Sequence, residues 1–155
     1  MATLDDYRET LERFLAPGVP WQTPVRYEPG ALVVGYPGTF ALVGPASRLC
    51  ELGHFIPGDG IVVRRRNLNT AAGQALLVHE AQHALDAKQY PGGAKRFVKE
   101  YDRLERLRQG RGLPGWMHPM ELENYRLECR VWHTLVAEGW PPGEWLPLGV
   151  AENLC

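Results

Sequence analysis

Residues 79 to 83 read His-Glu-Ala-Gln-His. On a helix, side chains four positions apart share one face with Cβ atoms roughly 5–6 Å from each other. Two imidazoles so placed can reach one Zn²⁺ at about 2.0–2.1 Å. Glu80 projects to the side, where its carboxylate can take a proton from a water activated by the ion instead of occupying the ion itself. The pattern is short and recurs by chance in long collections of sequence. Here it falls in a stretch with no Pro or Gly between Gln74 and Tyr90, in a chain with only five histidines.

A catalytic zinc needs three protein ligands and an open position. Position 86 is Asp and position 89 is Gln, so no third histidine follows at short spacing. A later helical segment, 119 to 138, carries Glu121, Glu123 and Glu128. Steps of 100° around it put Met120, Tyr125, Val131, Trp132 and Leu135 in a wide apolar arc, with Arg126, Arg130 and His133 opposite. Glu121 and Glu128 lie near the middle of that arc and Glu123 at its polar edge. A carboxylate within a buried face is costly unless it is paired or binds a metal, so burial favours Glu121 or Glu128.

Helices must position these groups, and the sequence marks their ends. Thr70 suits an N-cap and Pro91-Gly92-Gly93 a stop, which predicts a helix from there to about Tyr90. Ala94 to about Gln109 is amphipathic, with Phe97, Tyr101 and Leu104 on one side and mixed charges on the other, the pattern of a solvated face. Pro119 suits the first position of the glutamate-bearing helix. At the start, Thr3 and Asp6 fit a capping box, and Leu4, Tyr7, Leu11, Phe14 and Leu15 make a helical stripe. Between 19 and 66, Pro and Gly punctuate short apolar runs. Val25–Tyr27, Ala31–Tyr36, Thr39–Val43 and Gly60–Arg66 read as strands, with a hairpin turn at Tyr36–Thr39. The Pro- and Trp-rich tail, Gly139 to Cys155, reads as irregular coil. The expected class is α+β: an N-terminal helix, a small and mostly antiparallel sheet, an active-site helix and a backing glutamate helix, as one domain over 1–155.

Composition sets bounds on function. With 155 residues, 45% hydrophobic and 23% charged, the chain has ordinary globular usage. A formal charge of −1 supplies no field for nucleic acid or an anionic membrane. Arg64-Arg65-Arg66 and the basic helix 95–111 make only a weak case for a nucleic-acid binder, given the near-zero net charge and the acids interspersed along that helix. No apolar leader opens the sequence and no run of about eighteen apolar residues occurs. Three cysteines, Cys50, Cys129 and Cys155, are an odd number without CxxC spacing, which argues against a disulfide framework and for a reducing, cytoplasmic setting.

Val78-His79-Glu80-Ala81-Gln82-His83-Ala84-Leu85-Asp86 resembles the active-site helix of the zincin metallopeptidases, and the likeness extends over about residues 60 to 138. The resemblance implies a zinc-dependent peptidase with Glu80 as general base. It also implies an edge strand at Ile61–Arg64 along which an extended peptide substrate adds as a further strand. The absent third histidine sets aside the metzincin branch and leaves the gluzincin branch, whose glutamate comes from a later helix. Glu121-Leu122-Glu123-Asn124-Tyr125 is similar to that E-x-x-A pattern with Asn and Tyr departing from it, which selects Glu121 as ligand. Tyr125, one turn on, is the candidate donor to a developing oxyanion, and Asp86 a candidate to orient His83. A thiolate from Cys50 or Cys155, or the tail, could cover the ion and hold such an enzyme latent. The rival expectation is a restricted or inactive zincin, serving as a binding module or a toxin-like effector with one target.

Overall fold

The computed structural model describes residues 4–15, 26–28, 31–34, 53–56, 60–64, 69–143 and 150–155. Its centre is helix α2. Around it stand α1 (Leu4–Phe14), α3 (Ala94–Gly110) and α4 (Leu122–Ala137), with α2 itself spanning Ala71–Gln89 and a short α5 at Val150–Leu154. Ala71, Ala75, Leu77, Val78 and Ala81 are all fully buried, and so is Gln74. A helix enclosed on nearly every side needs neighbours on every side. α1, α3 and α4 all pack on α2, and Leu11, Leu15, Val131 and Leu135 from α1 and its end and from α4 share its core cluster. The small alanines of α2 let those helices approach, and burial of each large apolar side chain contributes roughly 1.5–3 kcal/mol.

The start of α2 is closed in two ways. The Thr70 hydroxyl accepts from the Gly73 N–H at 3.1 Å, as the sequence predicts for an N-cap. The Ala71 and Ala72 N–H groups donate to the carbonyls of Pro141 and Pro142 at 2.8 and 3.0 Å, which satisfies two of the four donors a helix start leaves open. Gly143 sits at φ +71°, and a Cβ there would meet the Thr70 hydroxyl at 2.4 Å, so this close approach requires glycine. The tail expected as irregular coil is thus in part a cap on α2, and it returns to helix at α5, where Val150 is buried.

The α+β expectation is corrected here. Of the residues whose side chains are described, 75% are helical and none belongs to a strand. The body that carries the chemistry is helical. Four short backbone stretches accompany it: β1 (Arg26–Glu28), β2 (Ala31–Val34), and β3 (Gly53–Ile56) and β4 (Gly60–Arg64), the last two packing on α2. They pair antiparallel in the order β1-β2-β4-β3. Of the segments expected as strands, Thr39–Val43 and the Tyr36–Thr39 turn lie outside the described residues, as do Arg65 and Arg66. β4 runs between β2 and β3, with both of its edges paired. The added substrate strand expected along Ile61–Arg64 therefore has no free edge to join, because each strand has only two hydrogen-bonding edges.

A second correction concerns the cysteines. Cys129 on α4 and Cys155 after α5 form a disulfide with Cα atoms 5.8 Å apart. The odd count hid the pair, since spacing in sequence carries no information on which segments fold together. This bond removes the cysteine argument for a reducing compartment. Among the described residues no helix is long and apolar enough to cross a membrane.

Candidate metal centre

The histidines sit in the middle of α2, where the helix is enclosed: His79 is 3% exposed and His83 6%. Their Nε2 atoms lie 3.1 Å apart, with the rings edge to face at 71°. Glu121 completes a triangle, its Oε2 lying 2.9 Å from each Nε2. The circle through those three atoms has a radius of about 1.7 Å, less than the roughly 2.0–2.2 Å bonds zinc makes with such donors. His79, His83 and Glu121 are the residues that would hold such an ion. The donor set, two imidazoles and one carboxylate, is a catalytic zinc set.

Glu121 owes its place to the chain before it. It directly precedes α4, and a 3-10 turn at Gly115–Met117 feeds into it. His118 is fully buried and ties this turn down. One ring nitrogen, Nε2, donates to the Tyr101 carbonyl on α3 at 3.0 Å, while Nδ1 accepts from the Met120 N–H at 3.0 Å. The His118 carbonyl then accepts from the Glu121 and Leu122 N–H groups. The Tyr101 ring stacks on His118 at 4.1 Å, and its hydroxyl donates to Glu121 Oε1. Tyr101 therefore holds both the turn and the second oxygen of the Glu121 carboxylate. The sequence pattern places it on the apolar stripe of α3, as a core residue. The available signal was its hydroxyl, which a buried tyrosine must satisfy.

The three glutamates open at the sequence level separate clearly. Glu123 is exposed and pairs with Arg126 at the surface. Glu128 is 3% exposed, and its Oε2 lies 2.9 Å from His79 Nδ1, on the side of the ring away from Glu121. Accepting a hydrogen bond from Nδ1–H there, Glu128 favours the tautomer whose Nε2 lone pair faces the triangle. Asn124, also buried, donates its Nδ2 to His83 Nδ1 at 3.0 Å. A half-turn of its amide would present the oxygen instead, so it can serve either tautomer. Asp86 does not perform the orienting role expected of it, since it accepts from Gln82 at 2.8 Å on the same helix. Tyr125 packs edge-on against His79 with ring centroids 4.7 Å apart and forms one wall of the site. Cys155 is bonded to Cys129 and so is not on the histidines; Cys50 lies outside the described residues.

Charge sets the protonation of the cluster. Glu80, Glu121 and Glu128 are gathered around two histidines, with Glu80 and Glu128 buried. Burial raises the Glu80 pKa above the usual carboxylate range, against the pull of His79 and His83 and with added repulsion from Glu121 and Glu128. For His79 burial works against charge, yet hydrogen bonds to Glu121 and Glu128 outweigh it and hold the imidazole well above its ordinary value. Burial likewise opposes ionisation of Glu121, but His79 and His83 prevail and keep it far below a normal carboxyl. Burial and the adjacent Glu121 push the Tyr101 phenol well up. Two imidazole nitrogens and a carboxylate oxygen converge here, an arrangement that a proton on a ring or a metal ion would satisfy.

The chain matches no family model, no curated protein and no solved structure.

Proposed function

We propose that this chain is a zinc-dependent metallopeptidase in which His79, His83 and Glu121 hold the ion. The observation that carries the reading is the triangle of their three donor atoms, with edges of 2.9–3.1 Å, inside a buried cluster rich in carboxylates. When bound, zinc would supply a Lewis acid that polarises a carbonyl and brings the pKa of water toward about 7. Glu80 takes the proton of the attacking water on its carboxylate and returns it to the leaving amine. Glu128 and Asn124 hold the imidazoles in register. Tyr125, whose ring packs edge-on against His79, is the proposed donor to the developing oxyanion. The substrate is a peptide or protein. The cytoplasmic setting expected from the cysteine count is not part of this proposal, because the Cys129–Cys155 bond removes its ground.

Metal analysis and a broad peptide-library digest test the reading together. Wild type is expected to bind zinc and to cleave; Glu121→Ala loses the metal, whereas Glu123→Ala keeps it. Glu80→Gln retains zinc and loses about 10²–10⁴ in turnover, the usual weight of a general base. Full activity in Glu80→Gln would refute its role. Zinc bound without any cleavage would move the assignment to the restricted or inactive zincin.

A further inference from the structure

A second group of metal-capable side chains has no part in the histidine–glutamate centre. Cys129 and His133 stand one turn apart on α4 and so share a face. The packing of α5 against α4 brings Cys155 to the same place, with its Cα 5.8 Å from that of Cys129. One sulfur from each cysteine and a ring nitrogen of His133 all lie within 4.8 Å of one another. Cys129 is buried while His133 and Cys155 are exposed, so the group opens to solvent and an ion can reach it.

We propose that in the reduced chain Cys129, His133 and Cys155 bind a soft divalent cation such as Zn²⁺, and that oxidation to the disulfide expels it. Two thiolates and an imidazole are three of the four donors zinc prefers, with water for the fourth. Sulfurs on one tetrahedral zinc stand about 3.8 Å apart, given Zn–S bonds of about 2.3 Å. Side-chain rotation about two Cα atoms 5.8 Å apart supplies that separation as readily as it supplies the bond. Binding deprotonates both thiols, so the ion also primes them for oxidation. With hydrogen peroxide as oxidant, each thiolate loses one electron as the two sulfurs join in the S–S bond. Peroxide accepts the two electrons with two protons and leaves as two waters, and the cation departs unchanged in charge.

Cobalt distinguishes this group from the first, because His79, His83 and Glu121 offer no sulfur and only thiolate ligation produces an intense near-ultraviolet charge-transfer band. Co²⁺ added to the reduced native chain without oxygen is expected to produce that band. Cys155→Ser removes it and Cys50→Ala leaves it. His133→Ala weakens cobalt binding at least tenfold while its oxidised form still closes the disulfide, so the loss is one of a ligand and not of the fold. Peroxide added to the zinc-loaded native chain releases zinc to a colorimetric chelator as two thiols disappear. Absence of the band in folded, reduced protein would overturn the proposal. So would a band that survives in Cys155→Ser, or unchanged affinity in His133→Ala.

Discussion

Replacing Glu128 by alanine probes whether the buried carboxylate behind His79 tunes the ion-binding face of that ring. Glu128 Oε2 lies 2.9 Å from Nδ1, and both side chains are 4% exposed, so solvent cannot take over the contact. With the acceptor present, the ring proton stays on Nδ1 and the Nε2 lone pair points at the triangle. With it gone, the proton is free to move to Nε2, and each metal-binding event must first move it back. Loss of such an outer partner typically costs 10- to 100-fold in metal affinity, about 1.4–2.8 kcal/mol. The ring does not become loose, because Tyr125 and His83 still flank it at 4.7 and 4.9 Å. The expected loss for Glu128→Ala is therefore near the lower bound, about tenfold. Glu128→Gln, which can still accept from Nδ1, is expected to lose only a few-fold. A zinc titration against a competing chelator dye at fixed pH measures both, with circular dichroism to show that each variant is folded. Zinc affinity in Glu128→Ala within twofold of wild type would refute the argument, as would a loss in Glu128→Gln equal to that in Ala.

The remaining predictions concern pH and stability. The His79 pKa is raised in the folded state, so its contribution to the metal-free fold is complete below the ordinary imidazole value and lost as pH rises through the raised one; urea midpoints of the apo chain should fall over that window. Zinc must displace the same proton, so its affinity should rise across the same window and binding should release protons to a weak buffer. Reducing the Cys129–Cys155 bond in chelator reopens a loop spanning 26 residues and should lower stability by about 3.5 kcal/mol on chain-entropy grounds. An unchanged urea midpoint after reduction would exclude that bond from the folded state. Leu77 is fully buried, so Leu77→Ala should cost about 2–5 kcal/mol in the same assay, and a loss below 1 kcal/mol would contradict the enclosure of α2.

Local periodicity made His79, Glu80 and His83 legible. Four residues always make about one helical turn, and Thr70 and the Pro91–Gly93 stop bounded the helix. The arc on α4 narrowed the acids, because a glutamate's angular position tells whether it faces inward: Glu123 faces out and Glu128 is buried. The same logic could not separate Glu121 from Glu128. They are seven residues apart and lie at nearly equal angles, yet about 10 Å apart along the axis, so the height at which α4 crosses α2 decides which one meets the triangle. The small sheet was the weakest reading. Short apolar runs broken by Pro and Gly signal extended chain without saying what pairs with what, and β4, expected at an edge, is interior.

The sequence by itself determined the two imidazoles and their neighbouring acid, because that geometry depends only on the helix that carries them. Tertiary structure alone decided which carboxylate faces them, that Tyr101 and His118 steady it, that Glu128 and Asn124 set the rings, and that Cys155 reaches Cys129. Each of those contacts joins segments at least 17 residues apart, and their meeting is set by how helices pack around α2, a property that no local spacing encodes.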